Sequence, residues 1–265
     1  MEFQQLIWVL GGTGFIFAMT TLGAAMVFFF RKKTKPIFQT LFLGFAAGVM
    51  IAASVFGLLV PAIDIAKESG DIEWLPSAIG FVCGVLFLFG LDRAIPHLHP
   101  NANLLEGPHS SMKRSTLLMF AITLHNIPEG MAVGLSFALA AQNPADTSLY
   151  FAAVALALGI GIQNFPEGAA VSLPLRQEGK STRKAFVMGM LSGIVEPVFG
   201  LLMVLIAGFI APFMPYLLAF AAGAMMYVVV EELIPESHIG KHTNAGTIAV
   251  MVGFLLMMIL DVALG

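Results

Sequence analysis

Apolar residues run through this chain in long blocks, broken at intervals by short polar stretches. Eight blocks reach the roughly 20 residues that a helix needs to cross a bilayer, at about 5–30, 37–63, 74–93, 115–141, 147–175, 183–210, 212–235 and 244–264. The segment "RKKTKP" at 31–36 closes the first block, and Pro36 suits the first turn of the next helix. The pattern predicts an all-α membrane protein with eight transmembrane helices in a single transporter-like domain spanning 1–265. The N-terminus lacks the basic segment of a signal peptide, so the first block is expected to be a retained helix.

Composition agrees with the pattern. Only 11% of the 265 residues are charged and 58% are hydrophobic, where a soluble domain carries roughly 25% charged residues. Cys83 is the single cysteine, which excludes an intramolecular disulfide or a thiolate metal cluster. Charge placement sets the orientation. Of the 13 Lys and Arg residues, all except Lys67 fall in the loops at 31–36, 93–114, 176–184 and 236–243. Cationic loops favour the cytoplasm, so both termini are expected outside, in an extracytoplasmic position.

The chain also repeats itself. "FAAGVM" at 45–50 returns as "FAAGAM" at 220–225, and "GVLFLFGLD" at 84–92 has an echo in "GFLLMMILD" at 253–261. The matched helices lie an odd number of crossings apart, so each pair runs in opposite directions. Inverted repeats of this kind mark secondary transporters, whose sites sit near the midplane. Glycine pairs at Gly44/Gly48, Gly80/Gly84, Gly130/Gly134 and Gly189/Gly193 are expected to permit close helix packing.

A third repeat carries the chemistry. "HNIPEGMAVG" at 125–134 recurs as "QNFPEGAAVS" at 163–172, each inside an apolar block. Four residues separate His125 from Glu129, and Gln163 from Glu167, so each pair shares a helix face about 6 Å apart along the axis. Asn126 and Asn164 follow the leading residues, and Glu196 adds a carboxylate in the sixth block. Three unpaired intramembrane carboxylates would cost on the order of 8–10 kcal/mol, and no intramembrane Lys or Arg is available to neutralise them. Protons or a bound cation must do so. Pro128 and Pro166 are expected to interrupt their helices and free the carbonyls of Leu124 and Ile162. One imidazole, three carboxylates and three amides suit a borderline divalent ion: Zn(II), Fe(II), Mn(II) or Cd(II). The absence of thiolates argues against Cu(I).

"HNIPEG", "QNFPEG" and "VEP", together with "LGFAAG" and "IPESH", make the chain resemble the ZIP (Zrt/Irt-like) metal-ion transporters, and their bacterial GufA-type branch most of all. The resemblance implies a 3+2+3 inverted arrangement of helices and a metal site between helices four and five, often in a homodimer. Its ligands carry over onto His125, Asn126, Glu129, Gln163, Asn164, Glu167 and Glu196. Many members have His where this chain has Gln163, and some with paired metals have Asp where it has Asn164.

Asp64 at the outer end of the second helix is a candidate entry residue. Glu231, Glu232 and His238 toward the inner end of the seventh are candidate exit residues. Asp92 and Asp261 are expected to be interfacial, and His97, His99, His109 and His242 to lie in cytoplasmic loops. The reading is inward carriage of zinc, with iron, manganese or cadmium as further cargo, across the cell (inner or plasma) membrane. No prosthetic group and no nucleic-acid partner are expected. The alternatives are a metal-selective channel with the same ligands and an intramembrane metalloenzyme. The latter is disfavoured because HExxH is absent and the order His-x-x-x-Glu differs from the Glu-x-x-His of di-iron bundles.

Overall fold

Hydrocarbon offers backbone groups no partner, so chain that crosses it must close its hydrogen bonds internally. In the computed structural model, which describes residues 3–29, 36–70, 72–94, 97–99, 104–106, 114–177, 179–237 and 244–264, nearly all of the described residues are helical. The helices are α1 (Phe3–Ala25), α2 (36–68), α3 (Leu75–Ala94), α4 (Arg114–Gln142), α5 (Thr147–Gln177), α6 (182–210), α7 (214–237) and α8 (Ala245–Leu264). Seven of these stretches are long and apolar enough to cross a membrane. The eighth, α4, is 29 residues long and packs among α5, α6 and α7. The protein is an all-α membrane protein. One short antiparallel pair, β1 (His97–His99) and β2 (Leu104–Glu106), lies in the connection from α3 to α4, with His97 opposite Glu106.

The helices form two bundles. In one, α1 packs along α5 and α6 along α4, with α4 and α5 side by side. In the other, α3 packs along α7 and α8 along α2. The inverted repeat is visible atom by atom in the second bundle. A methyl group on Gly48 would meet the carbonyl oxygen of Val250, and one on Gly253 that of Phe45. At the matching positions of the other half, Gly223 faces the carbonyl of Phe81 and Gly84 that of Phe220. Both seams need glycine because helix backbones touch there, the small-residue packing that replaces hydrophobic association in lipid.

A further correspondence lies in α2 and α7. Each contains a widened π-helical turn, Ala53–Leu59 and Val229–Leu233. The amide of Val60 reaches back to Val55 and that of Ile234 to Val229, and a proline follows at once, Pro61 or Pro235.

Two expectations need correction. α4 and α5 are not interrupted by the prolines of their motifs; both run unbroken through Pro128 and Pro166. A proline removes one hydrogen bond from a helix of about thirty residues, and lipid leaves the rest of the ladder no alternative partners. The break falls in α6 instead, where Thr182–Ser192 ends, a turn follows at Gly193 and Ile194, and a second half-helix begins at Val195. The second correction is Asp92: it is not interfacial but buried near the C-terminal end of α3.

Candidate metal centre

The break in α6 builds one side of the centre. Ser192 ends a half-helix, so its carbonyl has lost its intrahelical partner. The Asn126 side chain of α4 supplies one, donating from Nδ2 to Ser192 O at 3.0 Å. Four residues on, Glu196 sits in the first turn of the second half-helix, where the exposed amide ends of the helix favour negative charge. It is fully buried. Its Oε1 accepts from Asn164 Nδ2 of α5 and from the Thr20 hydroxyl of α1, both at 3.1 Å. Thr20 was not picked out in the sequence, although it lies on the same face of α1 as the buried Thr13.

Beside this cluster, Gln163 Nε2 donates to Glu129 Oε1 and ties α5 to α4. Glu167 is also buried. Across the motif, His125 Nε2 stands 2.9 Å from Glu232 Oε1 of α7, and Asp92 and Glu167 lie within electrostatic reach of the imidazole. The structure therefore buries all seven motif residues, His125, Asn126, Glu129, Gln163, Asn164, Glu167 and Glu196. It groups them as linked pairs, and among the described residues no three His, Cys, Asp or Glu side chains stand close enough to hold one ion alone. Any ion held there must draw on amide oxygens as well.

Those oxygens are in place. Asn126 Oδ1, Gln163 Oε1 and Asn164 Oδ1 are buried with no hydrogen-bond partner, as are Glu129 Oε2, Glu167 Oε2 and Glu196 Oε2. Each amide spends hydrogens on a neighbour and keeps its lone pairs. Buried polar atoms without partners are rare in folded proteins, and six oxygens in one small region form a concentrated acceptor surface.

The peripheral residues separate. Glu231 is exposed while its neighbour Glu232 is buried against His125. His109, His238 and His242 lie outside the described residues, and His97 and His99 fall on β1. Asp64 is exposed and lines a cavity of about 410 Å³ at the opposite end of the helices from Glu232, together with Glu68, Asp146 and Asn143. The Ser148 hydroxyl, 2.6 Å away, and the Ser148 amide hold the Asp146 carboxyl below its usual range, so it stays charged at neutral pH. Sequence reasoning found Asp64 here and missed Glu68 and Asp146, which flank it only after folding.

The family model described as "ZIP Zinc transporter" matches residues 103–261. The chain is 38% identical to "Zinc transporter ZIP11" of Homo sapiens, covering 99% of this chain and 98% of that protein. It is 41% identical to "Zinc transporter ZIPB" of Bordetella bronchiseptica, over 97% and 81%. With "Zinc transporter GufA" of Myxococcus xanthus the identity is 40%, over 79% and 81%.

Proposed function

The chain belongs to the ZIP family, and from that premise we propose that it carries zinc, with other borderline divalent ions as secondary cargo, across the cell membrane into the cytoplasm. The central binding site is the cluster of His125, Asn126, Glu129, Gln163, Asn164, Glu167 and Glu196 on α4, α5 and α6. The observation that carries this reading is the set of six buried, unpartnered oxygens beside an imidazole, on three carboxylates and three amides brought together from α4, α5 and α6. An ion that sheds its water there regains oxygen and nitrogen ligands, and the carboxylates gain the countercharge that no Lys or Arg provides.

The cytoplasmic face is the one that carries Arg93, Arg176, Lys180, Arg183 and Lys184, by the excess of cationic loops. Asp64, Glu68 and Asp146 then form an outer vestibule that concentrates cations, and the ion leaves on the side of Glu231 and the loop histidines. The inverted arrangement supports alternating access, in which one bundle shifts against the other, and the relatedness to ZIP transporters suggests a homodimer.

Uptake of radioactive zinc into proteoliposomes tests the proposal. Saturable flux that disappears in Glu129→Ala, while the variant still inserts, is the expected result. Single-channel currents in a planar bilayer would replace the carrier by a pore, and full uptake in Glu129→Ala would move the site elsewhere.

A further inference from the structure

The contact between His125 and Glu232 joins the two bundles. His125 stands on α4 and Glu232 on α7, each is 5% exposed, and Nε2 lies 2.9 Å from the Glu232 carboxylate. The π-helical turn at Val229–Leu233 shifts the register of α7 at this point, and Glu232 turns inward while Glu231 stays exposed. Such insertions recur at functional sites because they re-aim a side chain.

A neutral imidazole has one N–H and one lone pair. A carboxylate can only accept, so a carboxylate at Nε2 selects the tautomer with its proton there and leaves the lone pair on Nδ1. Metal-binding histidines commonly donate their second nitrogen to a carboxylate, which fixes the ring and raises the basicity of the ligating atom. Resting on the reading of His125 as a ligand, we propose that Glu232 is a positioning residue for ion binding: it holds the His125 ring from the other bundle and makes Nδ1 the ligating nitrogen.

The repeat within the chain supports the pairing. Counted back from the prolines that follow the two π-helical turns, Leu58 of α2 occupies the place of Glu232. In the matching motif Gln163 occupies the place of His125. Where the imidazole is absent its carboxylate is absent too, and Gln163 bonds to Glu129 instead.

The consequence is a site whose affinity depends on the arrangement of the bundles. While α4 lies against α7 the ring is held ready for the ion. A shift that parts them removes the acceptor, lets the ring turn and the tautomer relax, and loosens the ion.

The experiment uses full-length protein in detergent with cadmium-113 and nitrogen-15 histidine. Cadmium–nitrogen coupling at Nδ1 of His125, with the proton retained on Nε2, is expected. Coupling at Nε2 would overturn the inference and leave His125 a ligand; no coupling at either nitrogen would overturn both. Affinity provides a second measure. Glu232→Leu should weaken cadmium binding by about tenfold or more, and Glu232→Gln, whose amide oxygen still accepts, should recover most of the loss. In a His125→Ala background Glu232→Leu should change affinity less than about twofold, because the two changes act through one contact. Unchanged or tighter binding in Glu232→Leu alone would sink the proposal, as would an effect of Glu232→Leu that persists without His125.

Discussion

The two bundles use the same packing device for different ends. Between α2 and α8, and between α3 and α7, glycines let backbones touch, and few of the buried side chains are polar. Between α1, α4, α5 and α6 glycines do the same, with Gly168 facing the carbonyl of Thr20 and Gly130 that of Glu196. There, however, the close approach brings together Thr20, Asn126, Glu129, Gln163, Asn164, Glu167 and Glu196. One bundle uses that closeness chiefly for packing. The other spends the same closeness on a polar centre, and His125 reaches from it to Glu232 of its neighbour.

The comparison breaks if function and framework do not separate under mutation. The largest expected effect is in the polar bundle: Glu129→Ala or Glu167→Ala should lower zinc uptake by about a hundredfold or more, with membrane insertion intact on surface and detergent assays. Gly84→Leu and Gly253→Leu should do the opposite. Each side chain would strike a backbone carbonyl that cannot yield, an overpacking of ~3 kcal/mol, so the yield of monodisperse protein should fall first. Gly11→Ala and Gly14→Ala meet nothing within 4 Å and should be tolerated in both assays.

A finer test concerns Asn164. Its amide hydrogens already bond Glu196, and a neutral oxygen there leaves Glu129, Glu167 and Glu196 with three negative charges against the four positive charges of two divalent ions. Residual charge in low dielectric is costly. One ion should therefore bind tightly per chain, and Asn164→Asp should add a second and slow turnover severalfold, measured as bound zinc per chain and as uptake rate. The smallest effect belongs to the vestibule. Asp64→Asn with Asp146→Asn should raise the KM for zinc about twofold at low salt and hardly at all at physiological ionic strength, where exposed charges are screened.

Most of the scaffold could be read before folding. Eight helices follow from block length, because lipid tolerates few other solutions, and the mirrored seams follow from "FAAGVM" and "FAAGAM". The motif residues stood out because carboxylates are conspicuous among apolar neighbours. What could not be read was which helix faces which. Periodicity within α7 cannot say that Glu232 meets His125 while Glu231 is exposed, since a π-helical turn resets the register between them. Asp92 looked terminal because it stands two residues from the end of α3, yet other parts of the fold cover it. The continuity of α4 and α5 through proline also went against local expectation, since in lipid the hydrogen-bond ladder outweighs one missing donor.

The central claim is that the polar bundle holds the transported ion, and equilibrium dialysis of purified protein against zinc tests it most directly. The account predicts one tightly bound ion per wild-type chain, lost in Glu129→Ala and kept when His97, His99 and His109 are replaced together. A Glu129→Ala protein that binds zinc as the wild type does, with binding lost in the histidine-loop variant, would contradict it.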